Sequence, residues 1–207
     1  MQFTINGINV EANEGMTILQ VARQYGMEIP TLCYLEGVSD IGSCRLCVVE
    51  IEGDDVLRTA CNTKAKEGMV VYTKSEKVVE ARRKVLKLLL ADHTGDCLCC
   101  EKNGDCELQK YCIEYNVSTS EYVSSNQERN MDIKDENPFL SYDPGKCITC
   151  QRCLMTCSKI AGRKAITLGK KGAQALIQTP FGEGWDSSLC ESCGNCAQAC
   201  PPGALIV

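Results

Sequence analysis

The sequence is short of aromatic material: one tryptophan, three phenylalanines and seven tyrosines make up about 5% of its 207 residues, and there is a single histidine. The 44% hydrophobic fraction counts 17 cysteines, so about 36% is ordinary apolar or aromatic residue. A chain this poor in core side chains needs cross-links of another kind. There is no basic excess either. The net charge of −5 and pI near 5.1 exclude the basic face of a nucleic-acid binder, and the charges are interspersed, with no acidic or basic tail. The longest apolar-rich stretch, residues 85–91, contains Lys87 and is far too short to span a bilayer. Residues 1–7 lack the basic region and apolar run of a secretory signal, which predicts a cytoplasmic chain. An odd number of cysteines there makes a poor disulfide framework. No G-x-G-x-x-G, P-loop or nucleophile constellation occurs, so no catalytic site is predicted in this chain and nucleotide binding falls to a partner.

What is present is a cysteine pattern. Cys147-x2-Cys150-x2-Cys153-x3-Cys157 is followed by Cys190-x2-Cys193-x2-Cys196-x3-Cys200-Pro201. Both have the spacing of bacterial two-cluster ferredoxins, in which the fourth cysteine of each run ligates the other cluster. Cys147, Cys150, Cys153 and Cys200 are therefore expected to hold one [4Fe–4S] cluster. Cys157, Cys190, Cys193 and Cys196 are expected to hold a second. Zinc sites use cysteine pairs rather than triplets, so a structural zinc protein is the weaker alternative. The first run departs in having Ser158 where the second has Pro201.

The N-terminal set, Cys33-x10-Cys44-x2-Cys47-x13-Cys61, departs from plant-type ferredoxin spacing in its first gap. Its surroundings predict a small β-grasp domain. Residues 3–5 and 8–10 read as strands across an Asn6-Gly7 turn, and 17–25 as a helix stopped by Gly26 and Pro30. Strands are expected at 48–51, 56–59 and 69–73. Gly42-Ser43 suits backbone that must wrap a cluster, and the four thiolates suggest [2Fe–2S].

Between these sets, Thr73-x-x-Glu76 reads as a capping box opening a helix to about Asp92. Val78, Val79, Val85, Leu88 and Leu89 are its expected packing face; Arg82, Arg83, Lys84 and Lys87 are its expected solvated flank. The helix delivers His93 to the head of His93-x3-Cys97-x2-Cys100-x5-Cys106. Rieske centres set the precedent for histidine replacing cysteine on iron, so these four residues are expected to hold a further [4Fe–4S] cluster. A neutral imidazole in place of a thiolate removes one negative charge and, other things equal, raises the reduction potential. Cys99 and Cys112 remain, both expected as small buried hydrophobes, with Cys99 a substitute for Cys97 or Cys100 only at a changed gap to His93 or Cys106. Short strands are also expected at 166–168 and 175–177, with a turn at Asp143-Pro144-Gly145.

The expected fold is therefore α+β. A [2Fe–2S] β-grasp domain occupies 1–78, a small helical [4Fe–4S] domain with one His and three Cys ligands 79–118, a connecting segment 119–138, and a 2[4Fe–4S] ferredoxin domain 139–207. In this order the motifs resemble the N-terminal part of the large iron–sulfur subunit of NADH dehydrogenase and of many [FeFe]-hydrogenases. They also resemble the diaphorase iron–sulfur subunit of bidirectional or bifurcating NAD(P)-linked [NiFe]-hydrogenases, whose stand-alone length this chain matches. The resemblance implies an electron-relay subunit of an oxidoreductase complex. Its partners would be an NAD(P)H-binding FMN/iron–sulfur flavoprotein and a hydrogenase small subunit or other catalytic subunit, with a ferredoxin reached through the complex. The alternatives are a relay in an NAD-linked formate dehydrogenase, a piece of a larger hydrogenase or NADH dehydrogenase subunit, and a free polyferredoxin. With four oxidised clusters bound, the net charge falls to roughly −12, which suits basic docking surfaces in the relay and the free carrier alike.

Overall fold

The computed structural model describes residues 1–94, 96–122, 137–182, 184–185 and 189–207. Most of the expected connecting segment, 119–138, lies outside them. Helices and short strands mix in an α+β chain that divides into two compact units, residues 1–34 with 40–86, and 35–39 with 87–207.

In the first unit, Asn6 and Gly7 both take positive φ (52° and 80°), as a two-residue hairpin turn requires. They join β1 (Gln2–Ile5) to antiparallel β2 (Ile8–Glu11). Helix α1 (Ile18–Gln24) starts at Thr17, whose hydroxyl accepts from the Gln20 backbone N–H while the Gln20 side chain accepts from the Thr17 N–H. This reciprocal cap satisfies two amides that the first helical turn would leave bare. The sheet is completed by β3 (Val48–Ile51), β4 (Arg58–Thr59) and β5 (Val70–Tyr72), in the order β2-β1-β5-β3-β4. Only β1 and β5 run parallel. Its inner face (Phe3, Ile5, Val10, Val49, Val71) packs with Ile18 and Leu19 of α1. Strand β4 is shorter than its sequence suggests, because Val56 is exposed in the preceding turn.

Helix α2 (Glu76–Asp92) differs from expectation in its cap and its inner face. Ser75, not Thr73, accepts from the N–H of Val78 at 3.3 Å. Thr73 is instead paired with Asn6, its hydroxyl accepting from Nδ2 and its N–H donating to Oδ1, both at 2.8 Å. The buried residues are Val78, Arg82 and Leu86, a four-residue repeat, while Leu88 is exposed. Arg82, expected in solvent, lies 1% exposed with its guanidinium donating to the Val48 carbonyl at 2.8 Å. Its apolar stem makes an amphipathic side chain usable on a buried stripe.

In the second unit, α3 (Glu107–Glu114) starts at Cys106. Strand β6 (Ser141–Tyr142) leads through a 3₁₀ turn (Pro144–Lys146), capped by Asp143, towards α4 (Arg152–Lys159). Strands β7 (Thr167–Gly169) and β8 (Leu176–Gln178) form an antiparallel hairpin, each one residue later than expected. Helix α5 (Asn195–Gln198) precedes β9 (Leu205–Ile206), which pairs antiparallel with β6. Tyr142, Ile166, Ile177, Trp185 and Leu205 form the core here, the Tyr142 and Trp185 rings lying 5.5 Å apart. No helix among the described residues is long and apolar enough to cross a membrane.

Candidate cluster sites

In the first unit, Cys33, Cys44, Cys47 and Cys61 are all buried. They interact in pairs. Cys33 accepts a hydrogen bond from the Cys44 thiol, which pulls its pKa down to about 5 and makes the Cys44 proton correspondingly harder to lose. Cys61 stands in the same relation to Cys47, which is lowered while Cys61 is raised. Each pair thus shares a proton, and ionising all four thiols against their mutual repulsion calls for a cationic core. The Cys44 backbone N–H also points at the Cys33 sulfur, at 3.5 Å. Gly42 is left-handed (φ 66°), and an added Cβ would lie 2.7 Å from Asn62 Nδ2, forcing that side chain to shift, and 3.7 Å from the Cys61 sulfur.

In the second unit, one apolar cleft is lined by Cys147, Cys150, Cys153 and Cys200. Another is lined by Cys157, Cys190, Cys193 and Cys196. Each cleft therefore draws three cysteines from one run and one from the other. The two runs share a backbone device. Thr149 and Gln151 (φ 51° and 61°) and Ser192 and Gly194 (φ 52° and 74°) stand at equivalent places between the cysteines, all left-handed. Such turns gather N–H groups on the concave side, where anionic sulfur collects. The Thr149 N–H donates to the Cys147 sulfur at 3.4 Å and the Ala165 N–H to Cys157 at 3.3 Å. Burial raises the thiols of Cys150, Cys153, Cys196 and Cys200, Cys196 to about 11. On α4, the buried Arg152 Nε and Thr156 Oγ1 have no hydrogen-bond partner among the described residues. Orphaned donors beside buried thiols fit a sulfide-bearing group.

The third site is more open. A cavity of about 370 Å³ is lined by His93, Cys97, Cys106 and Cys112, with Leu108 and Gln109. The other clefts hold about 20 and 10 Å³. Cys100, an expected ligand, is half-buried and is not among the residues lining the cavity. His93 Nδ1 lies 3.0 Å from the Lys146 carbonyl. A carbonyl can only accept, so Nδ1 carries the proton and Nε2 keeps its lone pair for a metal. Burial lowers the His93 pKa and favours this neutral imidazole. The Gln109 N–H donates to the Cys106 sulfur at 3.4 Å, and burial raises the Cys106 thiol. Cys99 is exposed, contrary to expectation, in the 3₁₀ turn Cys97–Cys99. Cys112 is buried as expected, but it faces the cavity, which its place on a helix did not reveal. Among the described residues, no three His, Cys, Asp or Glu side chains converge as ligands of a single ion would.

Comparison with known families bears on these sulfur sets. Residues 1–76 match the 2Fe-2S iron-sulfur cluster binding domain. Residues 82–121 match the NADH-ubiquinone oxidoreductase-G iron-sulfur binding region, and 137–206 the ferredoxin-like domain of NADH-quinone oxidoreductase subunit 3. A chain of the solved NAD+-reducing [NiFe]-hydrogenase in its H2-reduced state is 32% identical, with a TM-score of 0.88 over 99% of this chain and 86% of that one. The chain belongs to this iron–sulfur subunit family. It is also 40% identical over its whole length to the alpha subunit of the NADPH-Fe(3+) oxidoreductase of Geobacter sulfurreducens, spanning 24% of that protein. Subunit HndD of the NADP-reducing hydrogenase of Solidesulfovibrio fructosivorans is 38% identical, again over the whole chain and 36% of the relative. The chain thus spans between a quarter and about a third of these curated relatives, which carry hundreds of further residues.

Proposed function

We propose that this chain is the electron-relay module of an NAD(P)-linked oxidoreductase, a [NiFe]-hydrogenase of the cytoplasm in the first place. It would hold one [2Fe–2S] cluster on Cys33, Cys44, Cys47 and Cys61. Three [4Fe–4S] clusters would lie on His93 with Cys97, Cys100 and Cys106, on Cys147, Cys150, Cys153 and Cys200, and on Cys157, Cys190, Cys193 and Cys196. These sets fall into domains at 1–78, 79–118 and 139–207, the last two joined by 119–138. The clusters would supply one-electron transfer between an FMN-bearing NAD(P)H-oxidising partner and the hydrogenase small subunit.

The observation that carries this function is the division of eight cysteines between two clefts, three from one run and one from the other in each. This division supports the reading because it matches the ligand exchange of two-cluster ferredoxins. The protein's own residues contribute amides and a hydrogen-bonded imidazole around the sulfurs, which set charge and orientation.

Iron analysis of anaerobically purified protein tests the cofactor load. About fourteen iron atoms per chain are expected, and a few zinc atoms with little iron would overturn the proposal. Affinity purification from the native host tests the partners. A flavoprotein and a hydrogenase small subunit are expected; a monomer that exchanges electrons freely with unrelated enzymes would make it a diffusible carrier.

A further inference from the structure

The third site has one sulfur more than a cubane needs. The expected ligand set of His93, Cys97, Cys106 and Cys100, the last outside the cavity lining, already counts four donors, yet Cys112 lines the cavity of about 370 Å³ with His93, Cys97 and Cys106. Cys112 is 7% exposed, and its thiol makes no hydrogen bond to any described residue. Helix α3 fixes it there: Leu108 and Cys112 are its two buried residues, one turn apart on the same face, and Cys106 caps the helix start. Cys99 has none of these properties, being exposed and outside the cavity lining. A buried thiol that only fills space belongs against apolar neighbours. This one faces donors whose expected work is to bind iron.

We propose that Cys112 is a reserve iron ligand, able to take the coordination position of His93. The inference rests on His93 being a ligand. In the exchange the Fe–Nε2 bond to His93 breaks and an Fe–Sγ bond to Cys112 forms. The thiol proton passes to the displaced imidazole and from there to solvent, and no electron moves. His93 keeps its Nδ1–H bond to the Lys146 carbonyl, so the ring can return. With Cys112 bound, the site gains the negative charge of a fourth thiolate, which favours the oxidised cluster and lowers its potential.

The test uses the holoprotein in its complex, prepared without oxygen, with iron content and EPR-monitored redox titration as readouts. His93→Ala keeps all its clusters, with one potential moved downward. His93→Ala/Cys112→Ser loses about four iron atoms per chain. Added imidazole restores the lost cluster and returns the potential towards that of the unaltered protein, which also shows that the double variant is folded. Loss of the four irons in His93→Ala alone, or their retention in the double variant, would overturn the exchange. Nitrogen hyperfine coupling in the unaltered protein checks the underlying ligation separately: without it His93 is not on iron, and both fall together.

Discussion

Arg152 and Glu107 form a two-pronged ion pair, with Nη1–Oε1 at 2.6 Å and Nη2–Oε2 at 3.0 Å. The guanidinium is almost wholly buried, while the carboxylate is 43% exposed. Arg152 stands between Cys150 and Cys153, and Glu107 directly follows Cys106. The Glu107 N–H also donates to the Pro201 carbonyl, next to Cys200, at 3.2 Å. Two proposed cluster sites thus share one polar fastening. Glu107→Gln leaves a buried cation without its counter-charge and should cost about 2 kcal/mol, the carboxylate's exposure holding the loss below that of a fully buried pair. Anaerobic denaturant unfolding of the holoprotein reads this as a lower midpoint with an unchanged slope.

Gly42→Ala should disturb the N-terminal site alone. The new methyl would sit in a left-handed residue and meet Asn62 Nδ2 at 2.7 Å, beside the Cys61 sulfur. Strain of this kind is about 1–3 kcal/mol. The expected result is early loss of the [2Fe–2S] absorption on heating, while the signals of the [4Fe–4S] clusters persist.

Acid should act first on the His93 site. Burial lowers the pKa of this histidine from its ordinary 6.5, so folding favours the neutral ring. The associated stability is complete above pH 6.5 and is lost as pH falls through the lower folded value. With His93 as the proposed ligand, the same proton would compete with iron for Nε2. Iron release followed between pH 8 and 5 should accelerate as pH falls from 6.5 through the lower folded value. His93→Gln, which does not titrate, should remove that inflection from the unfolding profile.

Arg82→Met should separate the two roles of that side chain. The thioether keeps the volume along α2 but leaves the Val48 carbonyl without the guanidinium, at about 1–3 kcal/mol for a buried acceptor. Amide hydrogen exchange should quicken around β3, with the cluster absorption retained.

The spacing made the division of the eight C-terminal cysteines between two clefts legible, because short gaps hold residues of one run together, and the three-residue gap carries Cys157 onto α4. The reciprocal cap of Thr17 and Gln20 emerged only in the structure. The Asn6-Gly7 turn was legible in the same way as the spacing, since turn chemistry acts within a few residues. Arg82 was not, since charge type says little about a side chain whose stem packs and whose head finds a carbonyl 34 residues away. Nor was the pairing of Ser141–Tyr142 with Leu205–Ile206, two very short strands joined by long-range register. Thr73 drew the expected capping pattern to itself, but its bonds to Asn6 left the helix start to Ser75. Cys112 was placed correctly as buried; what lay on the other side of it depended on how α3 rolls against His93.

The sulfurs also differ in shelter. All four of the N-terminal set are buried, whereas Cys97 and Cys193 are exposed and Cys100 and Cys106 are half-open. Molecular oxygen attacks an iron–sulfur centre where it can reach it, and thiolate oxidation follows access in the same way. In air, damage to the isolated chain should therefore begin at the His93 site, and the buried N-terminal set should be the last to bleach. A preparation exposed briefly would still look red-brown and intact by eye, although its most open centre had already failed.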